Sequence, residues 1–297
     1  MLSRDSWLHL RIPFSYFLMP VYLFALAISP NPTNHAVLWS FIIIHLFLYP
    51  ASNGYNSYFD KDEKSIGGLK NPPPVNKGLY YLSLLFDAIA LVSGWILISP
   101  LFSVMLFVYG VASKAYSHPG IRLKKYPIGG WLVAGFFQGF FTLLMSYIGI
   151  NNYALENLLH DRILWAGALS SLMLWGSYPM TQIYQHEEDG KRGDETLSRK
   201  LGIRGTFYFV GIVFSGVTAA FAIYFALFVN ISWSLVFACA MLPVVLYFTY
   251  WFFQVYKNDV EADYNHTMRL NFISATCLNL FFIALFMIST NYYTLLF

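Results

Sequence analysis

Asn53, Asn56 and Asp60 are spaced three and four residues apart, and so are Gln182, Gln185 and Asp189. On a helix this spacing stacks two amides and a carboxylate in one column on one face. Each trio belongs to a longer polar cassette, at 49–60 and at 178–189, that ends an apolar run. A constant offset of 129 residues pairs Tyr49 with Tyr178, Pro50 with Pro179, Ser52 with Thr181, Tyr55 with Tyr184 and Asp60 with Asp189. Acid and base follow together: Lys61-Asp62-Glu63-Lys64 in one case, Gly190-Lys191-Arg192-Gly193-Asp194-Glu195 in the other. Oxygen donors of this kind suit Mg²⁺, which keeps several waters and binds through one or two carboxylates together with phosphates. Asp62, Glu63, Glu187 and Glu188 enlarge the donor sets, so two facing clusters are expected to hold a pair of such ions around a diphosphate. Polar residues also cap and solvate helix ends. Repetition at a single offset is what points to a site instead.

The elements that must position these residues are membrane helices. The chain is 57% hydrophobic and 11% charged, with a mean hydropathy of +0.53, which excludes an ordinary soluble domain. Nine apolar runs are long enough to cross a bilayer core of about 30 Å: 13–29, 36–55, 79–98, 101–116, 129–149, 163–184, 206–228, 232–256 and 270–292. With loops assigned to alternate sides, 17 of the 18 Lys and Arg residues fall on one side and Arg162 alone on the other. The positive-inside rule then puts the N-terminus and both cassettes in the cytoplasm and the C-terminus outside, in a multi-pass protein of the cell (inner) membrane. The net charge of +3 reflects this orientation and anionic headgroups or phosphates; no nucleic-acid partner is expected.

The loops at 60–78, 114–128 and 186–205 are long, polar and bear Gly or Pro, so chemistry is expected on the cytoplasmic face. The 129-residue offset carries the second span onto the sixth, which predicts a pseudo-repeat of two four-helix units plus one leading helix. The fold class is thus all-α and polytopic, a single membrane domain over 1–297. The basic N-terminal segment has no small-residue cleavage site and reads as a retained first helix. Cys239 and Cys277 fit no zinc spacing and read as packing residues. His45 and Asp87 lie at similar depth, roughly 15 Å below the cytoplasmic helix ends, and are expected to hydrogen-bond to each other.

Four motifs in order resemble those of the UbiA-type intramembrane prenyltransferases. Asn56-Ser57-Tyr58-Phe59-Asp60 is similar to the opening of that family's Asn-Asp-x-x-Asp-x-x-x-Asp signature. Lys70-Asn71-Pro72-Pro73-Pro74, before Lys77-Gly78, echoes an Arg-Pro-x-Arg-Pro stretch. The run Tyr116-Ser117-His118-Pro119-Gly120-Ile121-Arg122-Leu123-Lys124 matches a Tyr-Ser-x-Pro-Pro-x-Arg-Leu-Lys loop. The second acidic signature, Asp-x-Lys-x-Gly-x-x-Thr-Leu, matches Asp189 to Leu197, followed by Leu201-Gly202. The departures are specific: Ser57, Lys64 and Gln185 stand where the family has Asp, and Pro73 where it has a loop Arg.

The resemblance implies transfer of a polyprenyl group from its diphosphate to a lipophilic or aromatic acceptor, as in quinone or pigment biosynthesis. It implies catalysis through Asn56, Asp60, Gln185, Asp189 and Tyr116. Mg²⁺ would rest on Asn56, Asp60, Asp62, Glu63, Glu188 and Asp189, and the diphosphate on Lys70, Arg122, Lys124 and Lys191. Cations would neutralise the leaving diphosphate while the allylic C–O bond ionises. Tyr55, Tyr58, Tyr116 and Tyr184 would help to shield the carbocation from water. Alternatives are a terpene cyclase of the same type, transfer to a non-aromatic acceptor, or a cation-coupled transporter. The transporter explains the repeat but not the Tyr-Ser…Arg-Leu-Lys loop. A phospholipid headgroup transferase would need an Asp-x-x-Asp-Gly-x-x-Ala-Arg signature, which the sequence lacks.

Overall fold

Apolar runs this long have one way to satisfy their backbone groups in lipid, and the chain takes it: among the described residues it is helical throughout, with no strand and one isolated bridge between Ile66 and Leu69. A computed structural model describes residues 3–289. The expected end of the last span, at 292, and the C-terminus lie outside them. The helices are α1 (Arg4–His9), α2 (Met19–Ala27), α3 (Asn34–Ile42), α4 (Tyr49–Asp60), α5 (Lys77–Leu97), α6 (Pro100–Ser117), α7 (Pro127–Gly135), α8 (Thr142–Asn151), α9 (Asp161–Thr181), α10 (His186–Arg192), α11 (Leu197–Phe228), α12 (Ile231–Lys257) and α13 (Tyr264–Ser289). Six continuous helical stretches are long and apolar enough to cross a membrane. A seventh is the N-terminal pair Arg4–Phe17 and Met19–Ala27, bent by 43°. Helices α6 and α9 are also long and pack between them. Sequence neighbours pack side by side, and α13 returns to α2.

Two of the membrane stretches are joined through π-helical turns, and each has a visible cause. Ile43–Leu48 links α3 to α4 just before Pro50. Pro50 has no N–H, and its ring crowds the carbonyl four residues back, so a widened turn relieves the clash. Phe136–Phe141 links α7 to α8. There Ser171 of α9 takes over the interrupted ladder, donating to the Gly135 carbonyl at 2.8 Å and accepting from the Phe140 N–H at 2.9 Å. Gly139 permits this approach, because a Cβ there would lie 2.5 Å from the Ser171 backbone. In the core, Phe24 of α2 stacks on Phe282 of α13 at 4.7 Å and meets Phe221 and Phe225 of α11, closing the bundle with aromatic packing.

The expected His45–Asp87 hydrogen bond is not formed. His45 Nδ1 faces the Phe41 carbonyl of its own helix at 3.1 Å, and its ring stacks on Phe41. Asp87 instead pairs with Lys114 of α6. A carboxylate at this depth gains far more from a full opposite charge than from a neutral imidazole, and α6 brings that charge alongside α5.

Candidate functional site

The helix ends that carry the two cassettes converge on one cavity of about 550 Å³. Asn53, Asn56 and Asp60 line it from α4, Gln182 and Gln185 from the segment joining α9 to α10, and Asp189 from α10. The interior is mostly apolar, with Phe137, Leu174, Phe214, Val244, Phe248 and Leu278 contributed by the surrounding helices beside a few polar side chains such as Gln138 and Asn271. The charged wall therefore comes from helix ends and loops, and the greasy wall from helix interiors.

The two trios reach the cavity by different backbones. The first lies on a continuous helix that stops at Lys61, in the left-handed region with φ 50°. The second was expected on one helix as well, but α9 ends at Thr181 and a 3₁₀ turn, Ile183–Gln185, intervenes before α10. Pro179 leaves the Trp175 carbonyl without its helical donor, and Trp131 Nε1 donates to it at 2.8 Å instead, while Thr181 Oγ1 donates back to the Tyr178 carbonyl at 2.7 Å. Helix α10 then starts afresh: Glu187, Glu188 and Asp189 fill its first turn, Lys191 and Arg192 its last, and Gly193 with φ 71° ends it. That charge order favours the helix dipole at both ends.

Burial makes the electrostatics strong. Asp60, Asp189 and Asp194 are 8%, 6% and 1% exposed, so each needs a partner. Arg122 forks onto Asp194 through two bonds of 2.8 Å, and its Nη2 lies 3.6 Å from Asp60. Lys124 pairs with Asp60 and lies 3.8 Å from Asp194. Arg192 pairs with Asp62 and lies 3.1 Å from Asp189, 3.7 Å from Glu188 and 3.7 Å from Asp194. The hydrogen bonds to Asp194 hold the Arg122 guanidinium above its ordinary pKa. Burial opposes charge on Arg192, but Asp62, Asp60 and Asp189 outweigh it and raise its pKa. Burial pushes the Asp189 carboxyl up to about 6 against the pull of Arg192 and Lys124. Losing one partner of so buried a pair as Arg122–Asp194 costs about 3–5 kcal/mol. Arg122 adopts a left-handed φ of 47°, a strained geometry that a functional position can retain.

Other residues singled out in the sequence are distributed unevenly. Asn56 donates to Ser117 Oγ at 2.9 Å, which leaves its carbonyl oxygen as the remaining acceptor. Gln185 reaches the Ser65 carbonyl at 3.4 Å. Tyr116 lines the cavity, its hydroxyl 2.7 Å from that of Tyr178. Glu63, Lys70 and Lys191 are exposed and do not line the cavity, and the half-buried Glu188 and Arg122, also expected on the ion and the diphosphate, do not line it either. Lys191 joins Lys64 on Glu187, at 3.0 and 2.5 Å, in a clasp across the mouth loops. The proline-rich stretch turns toward α1, where His9 Nε2 donates to the Pro73 carbonyl at 2.7 Å. Sequence reasoning missed Asp194, Arg192 and Tyr178 as site residues. Tyr178 was visible as the partner of Tyr49 in the repeat; Asp194 and Arg192 sit at unconstrained positions inside a recognised motif.

For a divalent ion the donor set fits one, held modestly. Among the described residues no three acidic, histidine or cysteine side chains converge as a metal cluster. Asp60 Oδ1 is nevertheless buried with no hydrogen-bond partner, and Asn56 and Asp189 line the same cavity. Carboxylates so few in number match an ion that completes its shell with water and phosphate.

Helices around a cavity with an acidic and basic rim and an apolar interior define an intramembrane enzyme of lipid-like substrates. The UbiA prenyltransferase family model matches residues 17–273, and the chain belongs to that family. It is a prenyltransferase. Among solved structures, a UbiA homologue from Archaeoglobus fulgidus bound to GPP and Mg²⁺ superposes with a TM-score of 0.67 at 15% identity, over 95% of this chain and 99% of that one. The same homologue bound to Cd²⁺ gives 0.63 at 15% identity, with the same coverage. A digeranylgeranylglyceryl phosphate synthase gives 0.59 at 17% identity, over 95% and 98%. At such identities the likeness is one of fold. No curated protein matches the sequence.

Proposed function

We propose that this chain transfers a polyprenyl group from a polyprenyl diphosphate to a lipophilic, aromatic acceptor. One observation carries the reading: both cassettes and Lys124 meet on a single cavity, with Arg122 behind them on Asp194, and helix interiors supply mostly apolar remaining walls. Asn56, Asp60 and Asp189 would hold Mg²⁺, which supplies charge to the leaving diphosphate when bound. Lys124 and Arg122 neutralise the same group from the opposite loop, with Arg suited to two phosphate oxygens at once. The allylic C–O bond breaks with its electron pair going to the diphosphate. The Tyr116–Tyr178 pair and the phenylalanine walls exclude water and face the cation with π surfaces. A nucleophilic carbon of the acceptor then forms the new bond and gives up its proton. Flat aromatic walls favour a flat ring at that position. Gln185 positions the second cassette through its bond to the 65 carbonyl.

The same reading extends to the membrane. Helices α6 and α9 join the stretches already described to make nine spans, arranged as two four-helix units behind a leading helix, all one domain over 1–297. The basic residues favour a cell (inner) membrane location with the N-terminus and the cavity mouth cytoplasmic and the C-terminus outside. Purified protein incubated with Mg²⁺ and radiolabelled prenyl diphosphates, with and without aromatic acceptors, tests the reading. Diphosphate release that depends on an aromatic acceptor is the expected result. Release with a cyclic hydrocarbon as product would assign a cyclase, and no turnover with any chain or acceptor would reject prenyl transfer.

A further inference from the structure

Arg192 occupies the ground between the two acidic cassettes. Its guanidinium meets Asp62, which follows the first cassette, and Glu188, Asp189 and Asp194 of the second. It lines the cavity, and its buried Nε, 3.7 Å from Asp194, makes no hydrogen bond. Lys124 and Arg122 take Asp60 and Asp194 in the same way. Every carboxylate of the cavity wall thus already holds a side-chain cation, and Asp60 Oδ1 is left as the buried acceptor without a hydrogen bond. A pair of divalent ions would need several more free carboxylate oxygens than this.

Resting on the prenyl diphosphate reading, we infer that Arg192 is a resident counter-charge for the diphosphate, standing in for a second metal ion, so that the site works with a single divalent ion. Arg192 contributes fixed positive charge and a planar fork of donors, which phosphate oxygens accept as readily as carboxylates do. Asp62 and Glu188 hold the guanidinium in place before substrate arrives, and Asp62 competes with the diphosphate for it. A purely structural clip between the loops would contribute to stability but not to diphosphate affinity, which separates the two roles.

The test uses the full chain in lipid nanodiscs, with geranyl diphosphate as ligand measured by calorimetry and Mn²⁺ stoichiometry read by electron paramagnetic resonance. One Mn²⁺ per chain is expected in the presence of ligand. Chelation with EDTA should weaken geranyl diphosphate binding by about tenfold to a hundredfold without abolishing it, roughly the worth of one or two charge-assisted contacts. Arg192→Gln should remove the chelator-resistant binding, Arg192→Lys should keep most of it, and Asp62→Asn should strengthen it by releasing the guanidinium. Two Mn²⁺ per chain, or chelator-resistant binding equal in wild type and Arg192→Gln, overturns the inference. Should Arg192→Gln fail to fold, weaker chelator-resistant binding in Asp62→Asn does the same. Binding that vanishes with EDTA but is normal with Mg²⁺ overturns the single-ion inference alone. No saturable binding even with Mg²⁺ overturns the prenyl diphosphate reading beneath it.

Discussion

The first cassette is one rigid helix; the second is a helix end, a 3₁₀ turn and a new short helix. Both deliver two amides and an aspartate to the same cavity. The difference teaches that side-chain chemistry, not backbone path, is what the repeat preserves. The first half positions its residues by helix continuity, with the strain of Pro50 absorbed in the π-helical turn upstream. The second half positions them by charge, because Glu187, Glu188, Asp189, Lys191 and Arg192 are ordered to nucleate a separate helix. Ion pairs then hold both ends, Asp60 on Lys124 and Asp189 on Arg192, but only the second half needs them to fix its backbone path.

The largest effect should come from the aspartates. Asp60→Ala and Asp189→Ala should each reduce prenyl transfer by roughly 10³-fold or more, the usual scale for losing a group that stabilises developing charge, with expression intact. Full activity in either variant would break the equivalence of the two halves. Next come the prolines. Pro179→Ala restores the backbone donor to the Trp175 carbonyl, displaces Trp131 from it and re-aims the end of α9 before Gln182; turnover should fall on the order of tenfold to a hundredfold, since small misplacements near reacting groups carry such costs. Pro50→Ala should change turnover less, because α4 is already continuous. The opposite ranking would show that the π-helical turn, not the break after α9, sets the geometry. Among the amides, Asn56→Ala should lower activity by about tenfold, and Gln185→Ala by less, since its contact at 3.4 Å is the longer one. The smallest effect belongs to the clasp at the mouth. Lys64→Ala should alter activity less than about twofold, as exposed ion pairs contribute little; a larger loss in a steady-state assay would make the clasp part of the closed site.

Much of this was legible in the chain. Apolar runs, basic loops and the 129-residue offset marked a helical membrane protein with paired acidic ends, and four motifs gave the family. Three features were not legible. The helical column read for Gln182, Gln185 and Asp189 ignored that α9 ends at Thr181, whose side chain bonds back to Tyr178, and that a 3₁₀ turn follows. Asp87 was assigned to His45 by depth alone, yet the lateral neighbour Lys114 on α6 supplies a full charge. Lys70 and Lys191 carry the right charge in the right loops but lie outside the cavity, because the proline-rich stretch is drawn to α1 and Lys191 to Glu187.

Sequence by itself determined the solvent of this protein, its helical character and the residue types available for a diphosphate, since hydropathy and charge act locally and are written residue by residue. Only the tertiary structure decided which cations meet which carboxylates. Arg192, Lys124 and Arg122 are interchangeable in a linear reading. Buried charge must be paired where it is, and the packing of α4 against the 114–128 loop and α10 dictates that Lys124 pairs with Asp60, Arg122 with Asp194, and Arg192 with Asp62.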